Sequence, residues 1–232
     1  MNKFILRSIA IASIGVSPVL LASPFSAKLC HDDSQYTCYH AERGDTWESL
    51  FPDQQERDLV KRLNRVNLQL RPGMVYAVPN HIESMNKLDL APFPHHRATD
   101  GKKTVIVDQN KLAWGAYSEN GDLVNWGPAS GGRGYCPDLH GACRTATGTF
   151  TVYNKGSAGC ISHKFPLGRG GAEMPYCMFF KGGYALHGSN TVPGYNASHG
   201  CVRLFKEDAR WLNQDFIDVN STRVIIQRPG SI

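Results

Sequence analysis

The chain of 232 residues is 41% hydrophobic, 19% charged and 10% aromatic. This composition can bury a core and excludes a wholly disordered protein. The formal charge of +5 comes from 25 basic and 20 acidic residues, which are scattered along the chain. Nucleic-acid binders concentrate basic residues in a patch or stripe, so this distribution argues against a nucleic-acid partner. A mild positive charge suits an anionic polymer as substrate but identifies none.

Residues 1–27 have the features of a secretory signal peptide. Lys3 and Arg7 form a basic start. The apolar stretch from Ile9 to Ala22 is interrupted by Pro18 and is too short for a membrane-spanning helix. The alternative for this segment is a buried N-terminal helix. The small residues that offer cleavage sites are Ala22, Ser23 and Ala27.

No later segment is long and apolar enough to span a membrane. Removal of residues 1–27 takes away Lys3 and Arg7 and lowers the formal charge from +5 to +3. We therefore expect an exported protein without a transmembrane segment, located in the periplasm or cell envelope or secreted from the cell.

The cysteines agree with an oxidising compartment. All seven lie beyond residue 27, and an odd number in an exported protein predicts disulfides plus one free thiol. Proximity along the chain favours the pairs Cys30–Cys38, Cys136–Cys143 and Cys160–Cys177, which leaves Cys201 unpaired. Six cysteines allow about fifteen pairings, so other connectivities stay open.

Residues 36–80 predict a small unit with the order strand, helix, helix, strand. Asp45 is a predicted helix N-cap, with Glu48 reaching back to it. A second helix is indicated by the apolar spacing of Leu59, Leu63 and Val66. The flanking strands are predicted at residues 39–41 and at residues 74–78, the second after an Arg-Pro-Gly turn and ended by Pro79.

This unit resembles a LysM domain, a carbohydrate-binding module of cell-wall proteins. The matching segments are Arg43–Thr46, Leu63–Asn64, Leu70–Gly73 and Val78–Pro79. The resemblance implies that the unit binds glycan. Residues 51–56 depart from the pattern, so the alternative is a small packing domain that has lost its ligand.

Residues 81–102 are rich in proline, histidine and charge, which predicts an extended linker.

From residue 103 the chain changes to β-branched runs and turns, with a hairpin signal at Asn120–Gly121. The glycine-rich run Ser130–Gly134 lacks the Gly-Lys-Ser/Thr ending of a phosphate-binding loop and is interpreted as a flexible surface loop. The predicted strands include residues 104–107, 112–117, 123–126, 148–153, 178–180 and 224–226, with a short helix at 208–216.

One segment carries the residues for covalent chemistry. His187–Gly188 is followed by the sequence Ser198-His-Gly-Cys-Val-Arg203. A thiol nucleophile needs a base that removes its proton, and acyl transfer needs donors at the developing oxyanion. Gly200, which lacks a Cβ, permits a tight turn that aims backbone amides at a carbonyl bound to Cys201.

These residues resemble the catalytic signature of the L,D-transpeptidases, the YkuD-type family that cross-links peptidoglycan. The similarity spans residues 103–228 and includes the segments Gly121–Val124, Ser130–Gly132 and Thr145–Phe150. It implies a mainly β fold: a β-sandwich with short helices, preceded by the small LysM-like unit. It also implies that the enzyme uses neither a metal nor an organic cofactor.

The resemblance assigns a role to each matching residue. Cys201 corresponds to the nucleophile and His187 to the general base, while His199 orients or further activates the thiol. Arg203 pairs with a substrate carboxylate through its planar guanidinium. The residues that shape the turn and the substrate or oxyanion contacts are Ser198, Gly200 and Gly188.

The cysteine-rich insert between Gly134 and Cys177 lies outside the common family pattern. It more faintly resembles a subgroup called enhanced-entry proteins, and we expect it to narrow access to the thiol.

The predicted function is that of a peptidoglycan L,D-transpeptidase, with stem peptides and glycan as partners. If water resolves the acyl-enzyme, the protein is an L,D-carboxypeptidase. The runner-up from another class is a catalytically silent glycan-binding protein of the envelope. A zinc site of His187, His199 and Cys201 has suitable ligands but not the paired spacing of zinc motifs. A Cys-dependent peptidoglycan endopeptidase is a weaker alternative. The known motifs of those enzymes place the Cys before the His, whereas here His187 precedes Cys201.

Overall fold

The computed structural model describes residues 25–32, 35–162 and 172–229. Most of the predicted signal peptide, residues 1–24, lies outside the described residues. The helices are α1 (Phe25–Asp32), α2 (Trp47–Leu50), α3 (Gln54–Leu63) and α4 (Lys206–Trp211), with a π-helical continuation at Leu212–Phe216 and short 3-10 helices at Ile82–Ser84, Lys87–Leu90 and Pro137–Leu139. None of the helices in these ranges has the length and apolarity needed to cross a bilayer.

The described residues form fifteen strands, most of them short. They are β1 (Tyr36–His40), β2 (Val75–Pro79), β3 (Thr104–Asp108), β4 (Ala113–Tyr117), β5 (Leu123–Ser130), β6 (Gly134–Cys136), β7 (Gly141–Cys143), β8 (Gly148–Thr151), β9 (Asn154–Lys155), β10 (Ile161–Ser162), β11 (Ala172–Glu173), β12 (Met178–Lys181), β13 (Tyr184–Gly188), β14 (Val202–Leu204) and β15 (Arg223–Gln227).

The N-terminal unit has the predicted strand–helix–helix–strand order, with β1 antiparallel to β2. The predicted cap of its first helix is wrong: Thr46, not Asp45, is the N-cap of α2, and Ser49 supplies the reciprocal hydrogen bond. The Asp45 carboxylate instead accepts from the Glu42 N–H at 2.7 Å, which closes the preceding turn. Because the Asp45 side chain is used in this turn, Thr46 caps the helix, and the helix starts one residue later than predicted.

One nine-stranded sheet dominates the rest of the chain, in the order β8-β15-β3-β4-β5-β14-β13-β12-β9. The pairs β15–β3 and β13–β14 are parallel, and the other pairs are antiparallel. The sheet curls strongly: the rings of Phe150 in β8 and Phe180 in β12 lie 5.4 Å apart across its interior. The mainly β prediction is confirmed.

The predicted disulfides are all present, as Cys30–Cys38, Cys136–Cys143 and Cys160–Cys177. Cys201 is the free cysteine. The first bridge ties α1 to β1. The second closes the β6–β7 hairpin, and the third links the segment before β10 to the segment before β12.

Residues 81–102 were expected to form an extended linker, but they fold against the sheet. Two 3-10 helices lie within the segment, and Leu90 and Phe93 are buried in one core with strands β3–β5. The Tyr117 hydroxyl donates to the carbonyl of Pro94 at 2.8 Å. Apolar side chains between the prolines bury surface that a solvated linker would expose, and this burial stabilises the docked form.

The glycine-rich run is also more ordered than predicted. Ser130 ends β5, and Gly131 and Gly132 are buried. A Cβ at Gly132 would lie 2.0 Å from the carbonyl oxygen of Cys143. The Gly132 N–H donates to Thr145 Oγ1 at 2.8 Å. The glycines therefore allow close backbone packing, and they do not form a free surface loop.

A buried ion pair joins the N-terminal unit to the sheet domain. Arg62 of α3 donates from Nη1 to Asp208 of α4 at 2.7 Å, and both side chains are about 3% exposed. Asp58 binds Arg62 Nε, and Lys87 Nζ lies 3.6 Å from the second Asp208 oxygen. Burial opposes the charge on Arg62, but the carboxylates of Asp208 and Asp58 raise its pKa above the ordinary value.

Arg62→Met should destabilise the protein strongly, because it leaves the Asp208 carboxylate buried with Lys87 as its one remaining cationic partner among the described residues. We expect a loss of about 3–5 kcal/mol in the free energy of unfolding, measured by urea titration. Arg62→Met with Asp208→Leu should recover much of that loss. Asp100→Asn, which breaks the more exposed Arg223–Asp100 pair, is the matched control and should cost about 0–1 kcal/mol. Equal losses for Asp100→Asn and Arg62→Met would contradict the assignment.

Candidate active site

The parallel pairing of β13 with β14 brings the distant candidate residues together. Leu186 pairs with Val202, and His187 pairs with Arg203. Side chains alternate between the two faces of a strand. Leu186 and Val202 point into the core, whereas His187, Arg203 and the preceding Cys201 line a cavity on the other face.

The cavity has a volume of about 1060 Å³. Its walls include residues of the cysteine-rich insert. Among them are Leu139 and Ala142, from the part closed by Cys136–Cys143, and Ile161 and Glu173, from the part closed by Cys160–Cys177. The expected narrowing of access to the thiol by the cysteine-rich insert is therefore consistent with the position of these residues. The charged or titratable groups of the lining are Glu173, Tyr184, His187, His199, Cys201, Arg203 and Lys206.

The Cys201 side chain is partly buried. Its Sγ is 3.6 Å from the carbonyl oxygen of Gly183 and can donate to it. Burial raises the pKa of Cys201 above its ordinary value, while the Ala185 backbone and the charge of Arg203 act in the opposite direction. At neutral pH the resting group is therefore mainly the thiol.

His187 is 6% exposed, and its Nδ1 lies 2.9 Å from the carbonyl oxygen of Gly188. This contact assigns the proton to Nδ1 and leaves the lone pair on Nε2. Burial lowers the pKa of His187 to about 4, and the charge of Arg203 contributes to the shift. The imidazole is therefore neutral at pH 7 and can accept a proton.

Gly188 has a different role from the substrate or oxyanion contact expected of it. Its N–H donates to the carbonyl of Pro175 at 2.8 Å, and its own carbonyl accepts from His187. A Cβ at this position would lie 3.1 Å from the Cα of Lys206. Gly188 thus orients the imidazole at a tightly packed point, although it also borders the cavity.

Ser198 and Gly200 lie in the turn before the thiol. The Ser198 hydroxyl accepts from the Gly200 N–H at 3.0 Å and donates to the Cys201 carbonyl. Gly200 has a φ of +131°, which disfavours other residues. A Cβ there would also lie 2.9 Å from the Tyr184 ring.

The glycine-rich segment anchors this turn from the other side. The Ser198 N–H donates to the carbonyl of Gly131 at 2.9 Å, and the Arg133 N–H donates to the carbonyl of Ser198 at 3.0 Å. The segment Ser130–Gly132, which matches the family pattern, therefore acts as a support for the thiol turn.

His199 borders the same cavity as Cys201. Its Nε2 lies 2.8 Å from the carboxylate of Asp138, in the loop closed by Cys136–Cys143. Desolvation is the largest single effect and raises the pKa of Asp138. The hydrogen bonds from His199 and from the backbone of Asp138, together with the charge of Arg133, outweigh it and lower the pKa below its ordinary value. Sequence reasoning missed Asp138, since it lies 61 residues from His199 and matches no motif.

The metal alternative also changes in the structure. In the described ranges, the potential ligand atoms that lie within 4.8 Å of one another belong to Cys136, Asp138 and His199. Cys136 is in a disulfide and cannot supply a thiolate. The zinc trio considered from the sequence, which includes His187 and Cys201, is not the one brought together.

Arg203 reaches the loop that follows β13. Its Nη1 lies 3.3 Å from the carbonyl oxygen of Thr191 and 3.2 Å from Thr191 Oγ1. Thr191 also lines the cavity and was not identified from the sequence. The guanidinium is therefore held at the cavity wall, beside the thiol.

A thiol, a neutral imidazole held by a backbone carbonyl and a guanidinium in one cavity are the groups that thiol-based acyl transfer requires. The L,D-transpeptidase catalytic domain model (YkuD) matches residues 102–226, more than half of the chain. The chain belongs to the L,D-transpeptidase (YkuD) family.

Two solved L,D-transpeptidase structures are among those similar to this chain. An L,D-transpeptidase from Xylanimonas cellulosilytica is 29% identical, with a TM-score of 0.55 over 75% of this chain and 79% of that one. An L,D-transpeptidase from Stackebrandtia nassauensis is 21% identical, with a TM-score of 0.49 over 76% of this chain and 80% of that one. Among curated proteins, none has a sequence that matches this chain.

The alkylation rate of Cys201 by iodoacetamide should rise steadily with pH, with an apparent pKa above the ordinary thiol value, because both Cys201 and His187 rest in their neutral forms. Quenched labelling followed by intact mass measures this profile without reduction of the three disulfides, and Cys201→Ala serves as the unlabelled control. A rate that is already constant between about pH 6 and 8 would indicate a thiolate–imidazolium pair and contradict the electrostatics.

Proposed function

We propose that this protein is an exported peptidoglycan L,D-transpeptidase in which Cys201 is the nucleophile. The observation that carries the proposal is the free Cys201 in one cavity with His187, in a chain of the YkuD family. The donor is a tetrapeptide stem, from which the terminal D-Ala leaves. The acceptor is the side-chain amine of a second stem.

In the first half-reaction, Cys201 Sγ forms a bond to the carbonyl carbon of the stem's diamino acid, and His187 Nε2 takes the thiol proton. The Gly188 carbonyl stabilises the resulting imidazolium through Nδ1–H. Collapse of the tetrahedral intermediate breaks the C–N bond to D-Ala. The leaving amine takes its proton from His187 Nε2.

In the second half-reaction, the acceptor amine attacks the thioester carbonyl and gives a proton to His187. The carbon–sulfur bond breaks, and the departing sulfur recovers that proton. The resting thiol and imidazole are restored without an oxidant or reductant. The turn at Ser198 and Gly200 orients the Cys201 backbone for the oxyanion, and Arg203 pairs with a substrate carboxylate beside the thiol.

Release of D-Ala from a disaccharide-tetrapeptide, with formation of a cross-linked dimer, is the direct test. Cys201→Ala should abolish both products, and His187→Gln should lower the rate at least about 10²-fold because the thiol loses its base. Gln55→Ala, an exposed change on α3, is the control that keeps wild-type activity. D-Ala with only monomeric tripeptide would indicate the carboxypeptidase, and binding of glycan without D-Ala would contradict an enzymatic role.

The export proposal makes a prediction about the mature N-terminus. The Phe25 N–H donates to the carbonyl of Gly194 at 3.0 Å, its ring lies 4.7 Å from the Arg65 guanidinium, and Ser26 is buried. Cleavage after Ala27 would remove these contacts. We therefore expect cleavage after Ala22 or Ser23, so that the mature chain keeps Phe25. Intact mass of the exported protein measures this, and a mature chain that starts at Lys28 would contradict it.

A further inference from the structure

The loop of residues 189–196 connects β13 to the turn that carries the thiol. Its first residues, Ser189 and Thr191 among them, form part of the cavity wall. Beyond the cavity the loop contacts the N-terminal unit, at the segment between α3 and β2. The main contact residue there is Asn67, which is partly buried.

Asn67 holds this loop by three hydrogen bonds. Its Nδ2 donates to the carbonyl of Ser189 at 2.8 Å, and its Oδ1 accepts from the Val192 N–H at 2.8 Å. Its own N–H donates to the carbonyl of Val192 at 3.1 Å. Val66 adds an antiparallel bridge to Pro193. The side-chain amide and the backbone therefore bind the loop together.

Thr191 lies between the two loop positions that the Asn67 amide binds. Its carbonyl and its hydroxyl are the two acceptors for Nη1 of Arg203. Arg203 and Cys201 share one face of the chain at β14. A displacement of Thr191 would therefore move the guanidinium relative to the thiol.

We propose that Asn67, in the N-terminal unit, is a positioning residue for the active site: it fixes Thr191, and through Thr191 it sets the position of Arg203 beside Cys201. The proposal rests on the proposed function in one respect, namely that the group recognised by Arg203 is a substrate carboxylate. The N-terminal unit then contributes to the geometry of the active site, apart from any binding of glycan.

Asn suits this position because it offers one donor and one acceptor at the end of a short side chain. Asn67→Leu removes both at a similar volume and adds no charge. Leucine leaves the Ser189 carbonyl and the Val192 N–H without their side-chain partner, while the backbone hydrogen bond of residue 67 can persist. The variant therefore loosens the loop without adding or removing a charge near the thiol.

The test compares two alkylating reagents at Cys201, iodoacetate and iodoacetamide, which differ mainly in the carboxylate. In the wild type the positioned guanidinium favours the anionic reagent. Asn67→Leu should lower the iodoacetate-to-iodoacetamide rate ratio about 3- to 10-fold, as should Arg203→Ala. In the Arg203→Ala background, Asn67→Leu should have no further effect. Gln55→Ala, in the same unit, should keep the wild-type ratio.

Thr191→Val is a second variant, at an exposed position. It removes the hydroxyl that accepts from Arg203 and keeps the carbonyl that also accepts from it. It should lower the ratio in the same direction, and so tests the proposal even if Asn67→Leu does not fold. With the tetrapeptide as substrate, Asn67→Leu should raise KM more than it lowers kcat.

The proposal is overturned if Asn67→Leu and Thr191→Val keep the wild-type ratio, or if Asn67→Leu lowers the ratio equally with and without Arg203. The labelling ratio needs no turnover. An absence of D-Ala release together with the expected ratios would refute the transpeptidase reaction and still support the positioning role.

Discussion

The parallel pairing of β13 with β14 is the constraint on which the site depends. It places His187 opposite Arg203, and the alternation of side chains then brings Cys201 to the same face. The chain between the two strands forms a loop and a tight turn, neither of which has regular structure of its own. Hydrogen bonds from other parts of the chain therefore hold this connection in place.

Three separate parts of the chain support this connection. The Gly131 carbonyl and the Arg133 N–H bind Ser198. Asp138, in a disulfide-closed loop, binds His199. Asn67 binds the 189–196 loop from the N-terminal unit. The N-terminal unit is itself held to the sheet domain by the buried Arg62–Asp208 pair and by the docked segment 81–102. The two units thus form one support for the site rather than a catalytic domain with a tethered module.

Burial also sets the protonation states of the two reacting groups. Burial lowers the pKa of His187 and raises that of Cys201, so both groups rest uncharged. A neutral pair avoids the cost of two buried charges before substrate binds. Charge develops during attack, when the Gly188 carbonyl faces the imidazolium. This arrangement favours base-assisted attack over a preformed thiolate.

Much of the fold was predictable because its signals are local. Runs of β-branched residues bounded by turn signals predicted the main strands, and short spacings favoured the three disulfide pairs that the structure contains. The His187 and Cys201 assignment came from one motif. The supports were not predictable, because Arg62 and Asp208 lie 146 residues apart and Asn67 lies 122 residues from Ser189. The prolines of residues 81–102 indicated extension, but burial of Leu90 and Phe93 determined the outcome.

The central claim, that Cys201 carries the acyl group, is tested most directly by intact mass after rapid acid quenching with a tetrapeptide donor and no acceptor. The account predicts an adduct equal to the donor minus D-Ala, mapped to Cys201 and absent from Cys201→Ala. D-Ala release without such an adduct, or an adduct that persists in Cys201→Ala, would contradict it.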